Sequence, residues 1–110
     1  MHYQKVETIA AVATPPGEGG VAIVRISGDH ALTVAEKIYS GPLKTYQSHT
    51  LHLGRILNAQ GETVDEVLIA VMKAPRSYTG ENTVEIQCHG GINVVRNILD
   101  LVLKHGARVA

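Results

Sequence analysis

The 110-residue chain contains no tryptophan and no phenylalanine, and its four tyrosines are its only aromatic side chains. A core must therefore be assembled from Val, Ile, Leu and Ala, and there are too few rings for the stacking platforms that bind single-stranded RNA. The single cysteine, Cys88, has no partner for an internal disulfide. The first ten residues, MHYQKVETIA, lack the apolar stretch of a signal peptide. No run approaches the roughly 20 apolar residues of a membrane span. Together these absences lead to the expectation of a reducing, cytoplasmic setting with no membrane partner. Charge of one sign is missing too: ten basic residues balance ten acidic ones, so no global field gathers a polyanion.

What is present suits one folded unit. With 45% hydrophobic and 18% charged residues, the chain has the composition of a globular domain. Its length allows a single core burying on the order of 60 to 70% of the unfolded surface. Residues 1–110 are therefore read as one domain.

Hydrophobic spacing supplies the elements. Residues 6–13, VETIAAVA, form a short apolar run that stops at Thr14, Pro15, Pro16 and Gly17, as a buried strand would. Residues 21–26, VAIVRI, are rich in β-branched side chains and meet a turn at Ser27 and Gly28, where Ser27 or Asp29 is expected to cap a helix. Ala31, Leu32, Ala35 and Ile38 recur at helical spacing before Gly41 and Pro42. Residues 51–57 and 64–74 flank NAQGE and read as a hairpin with a loop longer than two residues. Residues 83–88, TVEIQC, alternate as a half-buried strand does. In residues 92–106 the apolar positions Ile92, Val95, Ile98, Leu99, Val102 and Leu103 mark one helical face, with Gly106 as its C-terminal stop. Residues 107–110 begin another extended segment. Strands alternating irregularly with two helices predict an α+β fold, a mixed sheet packed with helices.

Several motifs invite chemistry, and most have a plainer reading. Gly17, Gly19 and Ala22 nearly match a dinucleotide fingerprint, but they open a strand where that motif must open a helix. No GxxxxGK[ST] occurs, so no Walker A loop lies within the chain. His49 with His52, and Cys88 with His89, suggest metal ligands. Adjacent strand residues point to opposite faces, however, and no second close pair completes a four-fold site, so no metal is expected. Cys88 shares a face with Val84 and Ile86 and reads as a core thiol. Arg25 falls on the face of Val21 and Ile23 in an otherwise apolar strand. It either pairs with a carboxylate or an anionic ligand, or snorkels to water. Glu85, with Thr83 and Gln87 beside it, is either part of a solvated face or a fixed carboxylate. In the second case it can accept two parallel hydrogen bonds from the amino and ring N–H groups of a pterin. The glycines at 90 and 91 offer backbone N–H groups at a helix start.

Three segments, in order, resemble the signature of the MnmE (TrmE) family of tRNA-modifying GTPases: TIAAVATPPGEGGVAIVRISG at 8–28, DEVL at 65–68, and SYTGENTVEIQCHGG at 77–91. The closing GARVA matches as well. Glu18 stands where many members carry Arg, and Asn82 where Asp is usual. The resemblance is to the family's N-terminal domain, which is similar to the folate-binding domain of aminomethyltransferases. It implies binding of 5-formyltetrahydrofolate or a related one-carbon tetrahydrofolate, with Arg25 and Glu85 at folate-contacting positions, and it implies homodimerisation. It implies in addition that this stretch stops before the family's folate-contacting lysine, and before the helical domain, the C-terminal Cys motif and the GTPase domain with its GTP, magnesium and potassium. No catalytic residue is expected within the chain, and alone it is expected to be inactive. In the whole family protein the expected work is modification of the wobble uridine of tRNA with the partner MnmG. A homodimerisation scaffold without a working folate site is the alternative.

Overall fold

A computed structural model describes residues 7–13, 20–75, 80–89 and 91–110. The glycine fingerprint at Gly17 and Gly19, and Gly90 of the second glycine pair, lie outside the described residues. The elements run β1 (Ile9–Val12), β2 (Val21–Ser27), α1 (Ala31–Ile38), a 3-10 turn (Leu43–Thr45), β3 (Thr50–Leu57), β4 (Thr63–Met72), β5 (Thr83–His89), α2 (Ile92–Lys104) and β6 (Arg108–Val109). The strands form a six-stranded sheet in the order β3-β4-β5-β2-β1-β6. All neighbours are antiparallel except β1 and β6, which are parallel, so the sheet is mixed and the fold is α+β as expected.

Period-two alternation sorts the strand residues onto two faces. Ala22, Val24 and Ile26 of β2, Val67, Ile69 and Val71 of β4, and Val84, Ile86 and Cys88 of β5 are buried in one cluster with Val34 and Ile38 of α1 and Val95, Ile98 and Val102 of α2. Each large member of such a layer contributes about 1.5 to 3 kcal/mol by leaving water. Cys88 sits in this layer, as its face predicted. The α2 stripe is narrower than the sequence suggested, since Ile92 is exposed; on α1, Val34 takes a core position that the spacing had given to Leu32.

The caps differ from expectation. The N-cap of α1 is His30, with no side-chain cap, and neither Ser27 nor Asp29 serves. The His30 N–H instead donates to Thr8 Oγ1 of the neighbouring chain segment (3.0 Å), while Ser27 Oγ donates to Glu81 (3.3 Å). Tertiary partners have displaced a local cap. At the other end of the molecule Tyr39 is buried over Gly54, and its phenol donates to the Leu53 carbonyl (3.3 Å). That packing closes the β3 edge.

The opposite sheet face, turned away from both helices, carries Ile9, Val21, Leu51, Leu53 and Leu68, all substantially exposed, with Leu53 at 66% and Val21 at 65%.

Candidate functional site

The register brings the two sequence-selected residues face to face. Arg25 of β2 pairs directly with Glu85 of β5, and the same row continues outward to Ala11 of β1 on one side and Ala70 of β4 and Leu51 of β3 on the other. Strand alternation puts the whole row on the open face. Both nearest flanking residues are alanines, so nothing bulky in the row stands over the charges.

Arg25 donates from Nε to Glu85 Oε2 at 2.7 Å, and its Nη2 lies 2.6 Å from the same oxygen. The partner that the sequence demanded for Arg25 is therefore a carboxylate on the adjacent strand. The arginine side chain is 42% exposed and the glutamate only 12%. Arg25 thus reaches toward water while Glu85 stays low in the sheet. No donor among the described residues reaches the other carboxylate oxygen, Oε1. Of the two residues that stand beside Glu85 along β5, Thr83 is fully buried, while Gln87 continues along the open face beside Leu68 and Ile23.

Glu85 also lines an open depression of about 240 Å³, together with His49, Thr50, Leu51, Ala70, Val71 and Met72. Its walls are mostly aliphatic, with a carboxylate on one side and an imidazole on another. That combination suits a flat heterocycle with an N–H edge: the faces rest on apolar side chains and the edge meets a charged acceptor. His49 was missed as a member of this site. Sequence reasoning considered it only as a metal ligand with His52, whereas His52 stacks on Tyr46 with centroids 3.6 Å apart and bonds to Thr50 Oγ1 (2.7 Å). Among the described residues no group of three or more His, Cys, Asp or Glu is placed to hold a metal.

The other conspicuous polar cluster stands at the end of β5. Asp65, nearly buried, accepts the His89 backbone N–H (2.8 Å) and meets its Nδ1 (2.7 Å). This joins the DEVL segment to the CHGG segment. Next to it, burial and then the Asp65 charge push the Cys88 thiol pKa above its ordinary value, so Cys88 is an inert core thiol.

Fold and site together define a class of protein: an α+β module whose sheet uses one face for its own core and presents on the other a charged pair and a shallow cleft among exposed aliphatic side chains. Comparison with known proteins gives the particular family. A family model described as GTP-binding protein TrmE N-terminus matches residues 8–110. The tRNA modification GTPase MnmE of Protochlamydia amoebophila is 63% identical over 108 residues, covering 98% of this chain and 24% of that protein. Proteins of the same name from Moorella thermoacetica and Bacillus subtilis are 53% and 50% identical over 109 residues, each match covering 94% of this chain and 24% of the relative. This chain belongs to the TrmE N-terminal family, and it spans about a quarter of the length of these relatives. Among the described residues no helix is long and apolar enough to cross a membrane.

Proposed function

We propose that this chain is the tetrahydrofolate-binding and self-pairing N-terminal domain of a tRNA-modifying GTPase. The observation that carries the folate reading is the Glu85 carboxylate. It is held low in the sheet by Arg25 through one oxygen and lines an aliphatic depression with the other left without a donor among the described residues. A pterin offers adjacent amino and ring N–H donors to such a group, and Leu51, Ala70 and Met72 supply apolar contact for its ring. The depression is smaller than the roughly 300 to 1,000 Å³ of pockets that enclose a drug-sized ligand. It accommodates the pterin end, and the rest of a folate then runs along the open sheet face. Bound there, 5-formyltetrahydrofolate or a related folate supplies a one-carbon unit. The chain's own residues bind and orient it: Glu85 accepts from the ring, and Arg25 fixes the Glu85 rotamer.

The relatives' name, tRNA modification GTPase, supports the wider role. In the whole protein this domain would serve modification of the tRNA wobble uridine in the cytoplasm with the partner MnmG, while GTP, magnesium and potassium act in a separate GTPase domain. This chain has no Walker A loop and contributes binding and spacing, not hydrolysis.

A second reading has its own support. Ile9, Val21, Leu51, Leu53 and Leu68 share the open face, and an exposed aliphatic sheet surface of this kind suits an isologous contact with a second copy. The domain would then act mainly as a homodimerisation scaffold. Titration of 5-formyltetrahydrofolate into the purified chain, with solution mass measured alongside, separates the readings. Saturable binding is expected. A stable dimer that takes up no folate at millimolar concentration would leave only the scaffold.

A further inference from the structure

The histidine at the rim of the depression is built in an unusual way. His49 has φ +65°, the left-handed region, and is the one non-glycine residue there among those described. L side chains crowd the backbone in that region, which glycine enters freely, and a bulky residue kept there marks a position held for another reason. The backbone is held by the His49 N–H, which donates to the Val71 carbonyl at 2.6 Å. The side chain is held as well. Ser48 Oγ accepts the Lys73 N–H at 2.8 Å and lies 2.8 Å from His49 Nδ1. With one lone pair taken by Lys73, the hydroxyl keeps a proton and a second lone pair for Nδ1; where it donates the proton, the neutral imidazole is protonated on Nε2. A doubly protonated ring keeps the same donor. In both forms His49 carries an Nε2–H with no acceptor among the described residues, on a side chain that lines the same depression as Glu85.

We infer that His49 is a ligand-binding residue of the Glu85 depression, whose Nε2–H donates to an oxo or ring-nitrogen acceptor of the same heterocycle whose N–H edge Glu85 accepts. The inference rests on the folate reading of the depression and adds a contact to it. A pterin presents donors and acceptors side by side around its rim, so one acceptor group and one donor group on the protein read complementary parts of one ring. Glu85 alone would take any heterocycle with a suitable N–H edge. A second, opposite contact narrows the choice to rings that carry an acceptor as well.

The left-handed backbone supplies a test that a structural role fails. Replacing His49 by Gly removes the imidazole and relieves the crowding, so His49→Gly should unfold at or above the parent's temperature while binding 5-formyltetrahydrofolate about tenfold more weakly, the loss of one hydrogen bond. His49→Gln, which keeps an N–H donor, should recover part of that loss. Calorimetric titration of parent and both variants, with thermal unfolding of each, reads the outcome. A parent that binds the folate and a His49→Gly protein that binds within twofold of it would overturn this inference and leave the folate reading standing. A His49→Gly protein less stable than the parent would also overturn it, because His49 would then be supporting the fold. Absence of binding to the parent would refute the folate reading itself, and this contact with it.

Discussion

Replacing Glu85 by glutamine is the sharpest perturbation of the proposed site, because its costs to fold and to ligand differ in size. Glutamine has the shape of glutamate, and its carbonyl oxygen can take the place of Oε2 opposite Arg25 Nε and Nη2. What the fold loses is the charge of a pair whose arginine is 42% exposed, and such pairs contribute about 1 kcal/mol or less once screened by water. The predicted fall in stability is therefore about 0.5 to 1 kcal/mol, roughly 2 to 6 °C in unfolding temperature for a domain of this size. The ligand loses more. With the carbonyl committed to Arg25, the amide NH₂ stands where Oε1 was, and a donor then faces the pterin's own donors. Removing a charged acceptor and leaving donors opposed in a partly desolvated site should cost about 2 to 4 kcal/mol, a weakening of roughly 30-fold to 1,000-fold. Titration of 5-formyltetrahydrofolate into parent and Glu85→Gln protein, each checked by thermal unfolding, gives both quantities. Arg25→Ala should weaken binding as well, by loosening the carboxylate that it orients. A folded Glu85→Gln protein whose affinity is within threefold of the parent's would refute the reasoning and return Glu85 to an ordinary pair on a sheet surface.

Two further predictions concern the frame around the site. A methyl group added at Gly54 would fall inside contact distance of the Tyr39 ring, which is buried and tethered to the Leu53 carbonyl. Gly54→Ala should therefore cost about 2 to 4 kcal/mol, and the penalty should shrink in a Tyr39→Ala background; equal penalties in the two backgrounds would rule the clash out. Burial raises the pKa values of both Cys88 and Tyr39 above their ordinary 9.0 and 10.0, with Asp65 adding to the first and Tyr46 to the second. Their unfolded forms thus lose protons first, so stability is intact below about pH 8.5 and declines as pH rises beyond it. Urea midpoints from pH 7 to 11 measure that decline, and a thiol reagent at pH 8 should label Cys88 only as fast as the domain opens. Rapid labelling of the native protein would contradict a core thiol.

The sequence made the sheet legible because alternation is a local signal. TVEIQC announces two faces, which place Cys88 inward and Glu85 on the polar side; VAIVRI is apolar on both, so alternation groups Arg25 with Val21 and Ile23 and leaves open which face meets the core. The pairing of Arg25 with Glu85 is a different kind of fact. It depends on β2 and β5 being neighbours in register, sixty positions apart in the chain, and a carboxylate on any adjacent strand would have met the demand that Arg25 made. The cap of α1 was misread for a related reason. Ser27 and Asp29 have the right chemistry for a local cap, but Thr8 reaches the His30 N–H from an adjacent segment and Ser27 turns to Glu81. His49 was least visible of all. Nothing in QSHTL marks a left-handed residue, since glycine or asparagine is the usual sign and the hydrogen bond that holds it comes from Val71 on the next strand. Its place beside Glu85 follows from β3 lying against β4 and β4 against β5, so the depression is assembled by register across three strands. Local pattern therefore reveals which face a residue occupies, and the order and register of strands decide which residues on that face can act on one ligand.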